Sequence, residues 1–523
     1  MEIVDNSAIK IDIPKKLSEL LKELIPRSAV LQHGYAFYWD YPETHRVVKN
    51  IDEHLATSKF CQVIPSPMLR DYDWPGIYKP FDHQKHTASF LSLRQRAFCF
   101  NEAGTGKTSA AIWAADYLMK LGLIKRVLVI CPLSIMYSAW QSDVFKTAMH
   151  RSCGVAHGSK DKRQKIIQSQ YEFVVINFDG VNVVQDEIKN GRFDLIIVDE
   201  ANAYKTPTTK RFKTLMRIIT QDTWVWMMTG TPAAQSPVDA FGLAKVISPH
   251  RVPKFITAWR DVVMSQITRF KWTPKPDSRE KVFSALRPAI RYTKAECLDL
   301  PPLVYQTREV ELTPQAVRYY KLLKTQLRVE AAGQPVSAVN AASSLSKLLQ
   351  ISGGAVYTDK RDVVEFDVNP RLNELKDVID ETSNKLIVFV PYVHTIKVVS
   401  EFLTSNGVVN EIIKGDVSAT DRAQIINKFQ TQVDPRVLVI QPQSASHGVT
   451  LTAADTVVFW SPVMSVETYL QCVARIDRVG QKNSMTVVHL QGSEVERKVY
   501  AMLQGKVDSH QKLVDLYKQE IES

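Results

Sequence analysis

The sequence predicts an α/β protein with two tandem domains, each a parallel sheet flanked by helices. A short helical linker joins them, and a small α+β module precedes both. Three observations carry this expectation. Short β-branched apolar runs come in two sets. VLVICP (127–132), FVVINF (173–178), DLIIVDE (194–200) and WVWMMTG (224–230) form the first. KLIVFVP (385–391), VLVIQP (437–442), TVVFWSP (456–462) and MTVVHLQ (485–491) form the second. Runs this continuous read as strands buried on both faces, which marks a parallel sheet. Helical stretches separate the runs within each set, as crossovers between parallel strands require.

Taken in order, residues 1–75 form the small module, expected to recognise substrate. YAFYWD (35–40) places Tyr35, Phe37 and Trp39 on one face, YPET makes a turn, and HRVVKNI returns, which reads as a hairpin. Residues 76–250 form the first domain. After Lys107, Ala111, Ile112, Ala115, Leu118 and Met119 recur at helical spacing, and Gly122 caps the helix. Residues 251–369 are expected to finish that domain and link it onward. They carry Pro-rich punctuation at 273–280 and 298–303 and a helical segment at 314–332. Residues 370–523 form the second domain.

Length and composition narrow the class. A chain of 523 residues has room for two or three domains. It holds no apolar run long enough to span a membrane, and its N-terminus lacks the order of a signal peptide. The six cysteines, Cys61, Cys99, Cys131, Cys153, Cys297 and Cys472, are scattered without a C-x-x-C. That argues against a disulfide framework or a zinc site and fits a reducing cytoplasm. The net charge of +11 favours a polyanionic partner.

The chemistry concentrates in a few short motifs. NEAGTGKTSA (101–110) ends as a phosphate-binding loop should, with Gly106, Lys107 and Thr108, but Asn101 stands where the pattern begins with Gly. The first Gly serves a backbone turn, and Asn tolerates positive φ, so the substitution reads as compatible. Gly104, Thr105 and Gly106 would wrap the phosphates with backbone N–H groups, Lys107 would meet the β- and γ-phosphates, and Thr108 would ligate Mg²⁺. Downstream, DLIIVDEANAYK (194–205) ends a buried strand on Asp199 and Glu200. Asp199 would hold the Mg²⁺ shell, and Glu200 would orient or deprotonate the attacking water.

These motifs and their order resemble a superfamily-2 helicase-like ATPase. TGTP (229–232), with Thr229, resembles its third motif. Gln84, in KPFDHQ, resembles the glutamine that reads adenine, which implies ATP. QCVARIDRVGQ (471–481) fits the final motif, with Gln471 and the paired arginine fingers Arg475 and Arg478. CPLSIMYSAW (131–140), GVTLTAADTVVFWSP (448–462) and SEVERKVYAML (493–503) are similar to the SWI/SNF (chromatin-remodeller-like) branch. That branch carries a non-Gly residue at the position of Asn101. The resemblance covers about residues 76–510, is closest to compact phage or bacterial members, and implies two tandem RecA-like P-loop lobes. The chain departs from the family at Asn202, where His is usual, at Ser446–His447–Gly448, and at Pro462–Val463–Met464–Ser465. Asn202 can still hydrogen-bond across the lobes but cannot titrate.

By motif position the resemblance implies nucleic-acid contacts at Pro132, Ser134, Asn177, Lys205, Tyr392, Ser444 and Thr450. KTPTTKRFK (205–213) and RFKWTPK (269–275) mix basic and aromatic residues, and each reads either as a backbone-tracking surface or as a solvated face. The expected activity is an ATP- and Mg²⁺-dependent motor on duplex DNA that remodels branched DNA. The N-terminal module is similar to those of HARP-containing annealing helicases and branch-migration helicases. Two alternatives are an ATPase that recycles RNA polymerase and a nucleotide-gated binding scaffold. Replication, recombination or transcription proteins are the expected protein partners, in the cytoplasm or nucleoid of the host cell.

Overall fold

The computed structural model describes residues 2–4, 8–12, 28–30, 35–38, 67–230, 232, 236–268, 271–331, 338–357, 363–445 and 450–505. Near the N-terminus, β1 (Glu2–Val4), β2 (Ala8–Asp12), β3 (Ser28–Val30) and β4 (Tyr35–Tyr38) form an antiparallel sheet in the order β1-β2-β4-β3. The strand expected from YAFYWD is therefore present as β4, paired with β2 and β3. Its expected return strand at 45–51, like Trp39, lies outside the described residues.

The first large sheet uses β5 (Arg96–Cys99), β6 (Val127–Cys131), β7 (Cys153–Ala156), β8 (Phe173–Asn177), β9 (Leu195–Asp199) and β10 (Trp224–Met228). A separate hairpin, β11 (Met264–Thr268) with β12 (Lys271–Pro274), follows, and then β13 (Ala289–Ile290). The sheet order is β13-β5-β10-β9-β6-β8-β7, parallel throughout. Its strands are buried on both faces. Leu128, Ile130, Val174, Ile196 and Val225 face one core, while Val127, Val129, Val175, Ile197 and Trp226 face the other. Alternate residues of one strand point to opposite faces, so an all-apolar strand satisfies two helical layers.

The second sheet uses β14 (Leu303–Glu309), β17 (Lys385–Phe389), β18 (Asn410–Ile413), β19 (Val437–Ile440), β20 (Ala454–Phe459) and β21 (Met485–Gln491). Between β14 and β17 lies the small antiparallel pair β15 (Ala355–Tyr357) and β16 (Val363–Glu365). The order is β14-β21-β20-β17-β19-β18, again parallel. Ile387, Leu438 and Val457 face one core, and Leu386, Val437 and Val458 the other.

The stretch 251–369, expected to finish the first domain and then link it onward by helix, divides between the two sheets. β13 completes the first sheet, and β14 already belongs to the second, so the chain crosses between sheets within residues 291–302. The Ala338–Gly353 helix is no linker either, because Leu345, Leu348 and Leu349 pack into the second core.

Candidate functional site

β5, β9 and β10 are neighbours and run parallel, so the loops at their C-terminal ends meet at one edge of the sheet. Open α/β sheets place ligands at this edge. After β5 the chain enters the phosphate loop. Gly104 (φ +89°) and Gly106 (φ +79°) both take left-handed backbone, and Gly106 caps the Lys107–Lys120 helix. The first turn of that helix carries no acidic residue, so its N–H groups and dipole present a positive end to an anion. Thr105 is buried, and its hydroxyl donates to the Glu102 carbonyl (2.8 Å). The Lys107 ammonium donates to the same carbonyl (3.2 Å). Gly122 sits just past the helix end with φ +69°, as its sequence position predicts.

Two residues brace the loop from the Asp82–Ser92 helix. His83 Nε2 lies 2.8 Å from the Thr105 carbonyl, and Gln84 Nε2 donates to it at 3.3 Å. Gln84 Oε1 accepts from the Phe81 N–H (2.9 Å). Gln84 thus has both ends of its amide engaged, with the loop and with its own helix N-terminus. A Cβ on Gly106 would lie 1.9 Å from Gln84 Nε2, so a side chain there would displace the Gln84 amide, and the left-handed backbone favours Gly as well.

Asn101 requires a correction. Its backbone is not left-handed; among the described residues the positive-φ residues other than Gly are Trp74, Arg192 and Glu200. Asn101 is instead used for its side chain. Nδ2 donates to Thr87 Oγ1 (2.8 Å), and Oδ1 accepts from the Tyr292 N–H (3.0 Å). The amide joins the loop to the helix before it and to the segment after β13.

The acidic pair ends β9. Asp199 is buried, and its Oδ2 accepts from Trp140 Nε1 (2.9 Å). Trp140 is fully buried in a π-helical turn at Met136–Gln141, a form common near functional sites. Glu200 holds φ +52°, a strained conformation for a residue with a side chain. Burial raises the carboxyl pKa of both residues, and the proximity of the two charges raises Glu200 further, while Lys107 opposes both shifts. On the β10 side, the Thr229 N–H donates to the Cys99 carbonyl (3.0 Å), and Thr229 is fully buried. Gly230 packs close enough to the phosphate loop that a Cβ would lie 3.3 Å from the Ala103 nitrogen. Among the described residues no cluster of three His, Cys, Asp or Glu forms a metal cage. The hydroxyl of Thr108 and the carboxylate of Asp199 are oxygen donors that suit an ion keeping phosphate and water among its ligands, the usual habit of Mg²⁺.

The second domain closes the site. A Cβ on Gly104 would lie 3.1 Å from Arg478 Cβ and 3.4 Å from the Asp477 carbonyl oxygen. Arg475 is buried, its Nε donates to the Gln471 carbonyl (2.7 Å), and its charge acts on Glu200. Burial pushes its pKa down to about 10, so it stays cationic at neutral pH. Three further contacts join the domains. Asn202 Nδ2 donates to Glu467 Oε1 (3.1 Å), and Lys294 Nζ donates to the Asp477 carbonyl (2.8 Å) and pairs with its carboxylate (2.5 Å). The Lys294 N–H in turn donates to Glu102 Oε2 (3.1 Å) in the phosphate loop. His83, Trp140, Lys294 and Glu467 are absent from the sequence reading. His83, beside Gln84 in DHQ, carried the one local signal.

Comparison with known proteins decides the family. The SNF2-related domain matches residues 83–354, more than half of the chain, and the helicase conserved C-terminal domain matches 370–480. The chain belongs to the SNF2-related family. Its two parallel sheets are that family's tandem RecA-like lobes. An ATP-dependent helicase of Mycoplasma genitalium is 24% identical over 75% of this chain and 37% of its own length. The DNA annealing helicase and endonuclease ZRANB3 of Homo sapiens is 23% identical over 86% of this chain and 41% of its own length. A SWI/SNF-related subfamily A-like protein 1 of Xenopus tropicalis is 24% identical, covering 81% and 44%. The chain thus spans under half the length of these relatives. Among solved structures, the Sulfolobus solfataricus SWI2/SNF2 ATPase core in complex with dsDNA aligns over 85% of this chain and 93% of that one. It does so at 21% identity and a TM-score of 0.43.

In this SNF2-related chain the expected nucleic-acid residues fall into two groups. Pro132 and Ser134 follow β6 and Asn177 ends β8, at the same C-terminal ends of the strands as the phosphate loop. Asn177 Oδ1 accepts from Arg163 Nη1 (2.8 Å), which also holds the Ala156 carbonyl. Lys205 pairs with Asp239 (3.2 Å), and Arg211 pairs with Asp179 (2.7 Å), so two cations of KTPTTKRFK are neutralised within lobe 1. In lobe 2, Tyr392 is half-buried and packs beside Gly353, and burial of its hydroxyl raises its pKa. Ser444 is buried and Thr450 half-buried, while Ser446, His447 and Gly448 lie outside the described residues. Of RFKWTPK, Lys271–Pro274 form β12, and Arg269 and Phe270 also lie outside the described residues. No described helix is long and apolar enough to cross a membrane.

Proposed function

We propose that the chain is a DNA-dependent ATPase that translocates on duplex DNA and remodels branched DNA. One observation carries the reading: the phosphate loop and acidic pair of lobe 1 face Arg475 and Arg478 of lobe 2 across one cleft, with Gly104 against Arg478. Lys107 and the helix N-terminus bind the triphosphate of ATP. Glu200 orients and deprotonates the attacking water, and a carboxylate of raised pKa is the better base for it. Thr108 and Asp199 would hold Mg²⁺, which neutralises phosphate charge when bound. Arg475 and Arg478 stabilise charge developing on the transferred phosphoryl group.

Because half the site lies on each lobe, nucleotide state changes the fit between lobes, and a strand gripped by both is moved. The net charge of +11 suits a phosphate backbone. Branched DNA is favoured because an annealing helicase stands among the relatives. The test is the ATPase rate with no nucleic acid, single-stranded DNA, linear duplex, a four-way junction and structured RNA at two salt levels. We expect at least tenfold stimulation by duplex and more by the junction. Stimulation by RNA alone, or by nothing, overturns the reading.

A further inference from the structure

Residues 249–287 lie outside the nucleotide cleft and contain none of the residues expected by motif position to contact nucleic acid, though they include RFKWTPK; the stretch 249–291 ends at Arg291, beside Glu102 of the phosphate loop. It holds ten Lys and Arg against three Asp and Glu, a surplus of seven in a chain whose total is +11. It folds as one corner of lobe 1, made of the Ile256–Val263 helix, the β11–β12 hairpin and the Ser278–Ala285 helix. Trp259, Val263, Ala285 and Leu286 anchor it in the lobe core. Arg251 Nη1 donates to the Ser284 carbonyl (3.2 Å), and Lys281 Nζ donates to the Val262 carbonyl (3.1 Å), tying its parts together.

On this anchored base, two phenylalanines face solvent. Phe255 is 63% exposed and Phe283 62% exposed. Each carries a cation over its ring: Lys254 lies 5.4 Å from the Phe255 centroid, and Arg287 lies 4.5 Å from that of Phe283. Arg260 lies over Trp272 in the same way, at 5.6 Å. Among the described residues none of these three cations forms an ion pair with a carboxylate. Each ring with its own unpaired cation, on a segment anchored in the lobe core, offers stacking to a base and charge to the adjoining phosphate. A duplex presents phosphates but keeps its bases stacked inside, so it leaves the exposed rings unused.

The corner's position separates it from the track. It leads into β13, at one edge of the sheet, whereas Pro132 and Ser134 follow β6 and Asn177 ends β8, toward the other. Five strand spacings lie between β13 and β8, about 24 Å. We infer that this corner binds unpaired single-stranded DNA, holding the free arm of a branched substrate while the two lobes track the duplex. The inference rests on the proposed motor function and adds a second, strand-specific contact to it.

The test compares binding of a forked duplex carrying one unpaired arm with binding of a blunt duplex of equal length. It uses the full chain and the variant Phe255→Ala/Phe283→Ala, with Lys254→Gln/Arg287→Gln as a second variant. Wild type is expected to bind the fork about tenfold or more tightly than the blunt duplex. Both variants are expected to lose that preference while keeping blunt-duplex affinity and duplex-stimulated ATPase within about twofold. These side chains are exposed, so the retained ATPase shows that the variants fold. Equal wild-type binding to both substrates, or a preference that survives in both variants, overturns the inference. A wild-type chain that prefers the fork but shows no duplex-stimulated ATPase keeps the strand contact and removes the motor reading instead.

Discussion

At position 101 an amide side chain connects three segments that are far apart in the chain: the phosphate loop, the Asp82–Ser92 helix and the stretch after β13. Restoring the Gly of the usual phosphate loop would remove both bonds and leave the half-buried Tyr292 N–H without its acceptor. We therefore expect Asn101→Gly to destabilise lobe 1 by about 1–3 kcal/mol, read as a lowered urea midpoint, with weaker rather than stronger ATP binding. The Lys107 and Glu200 substitutions act differently. Lys107→Ala is expected to abolish nucleotide binding. Glu200→Gln is expected to leave binding intact and slow hydrolysis at least 100-fold, measured by nucleotide titration and single-turnover hydrolysis. The loop, the acidic pair and the arginines were legible because each is a contiguous string whose backbone conformation its own residues determine. The partners of Asn101, Gln84 and Asp199 were not, since Trp140 and Tyr292 reach them only through tertiary packing.

Among the elements, the buried strands were legible and the edges were not. β6, β8, β9, β10, β17, β19 and β21 lie inside the apolar runs that predicted them, and β20 starts two residues ahead of its run, because a strand covered on both faces must be largely apolar. β7, β14 and β18 lie at sheet edges. β14 (LVYQTRE) is largely exposed, so its residues carry no continuous apolar run, and the region looked like a linker. β21 also carries a titratable element. His489 is fully buried, its ring stacks on Tyr500 (4.2 Å between centroids), and Nε2 lies 2.9 Å from the Tyr469 hydroxyl. Burial pushes its pKa down to about 4, against roughly 6.5 in an unfolded chain. The folded form thus resists a proton that the unfolded form accepts. Lobe 2 is expected to lose about 3 kcal/mol as pH falls from 6.5 to 4, and to change little above 6.5 from this group. Urea melts followed across that pH range check the loss, and His489→Gln should flatten it.

At the scale of the whole molecule, the proposed ATP site is completed only where the lobes meet. No sequence pattern announces that Asn202 reaches Glu467 or that Lys294 bridges Glu102 and Asp477, since the partners lie hundreds of residues apart. Lys294 is held in a largely buried position, where burial lowers its pKa and Asp477 opposes the shift. Lys294→Met should loosen the hold of lobe 2 on the phosphate loop. We expect DNA-stimulated ATPase to fall about tenfold or more, with nucleotide affinity little changed, in steady-state assays with linear duplex. The most direct test of the central claim is displacement of a triplex-forming strand from linear duplex DNA by the full chain, with Arg478→Ala and Glu200→Gln as controls. The account predicts displacement that requires ATP hydrolysis, with both variants inactive despite binding DNA. Displacement without ATP, or none by a wild-type chain that hydrolyses ATP on the same duplex, would contradict it.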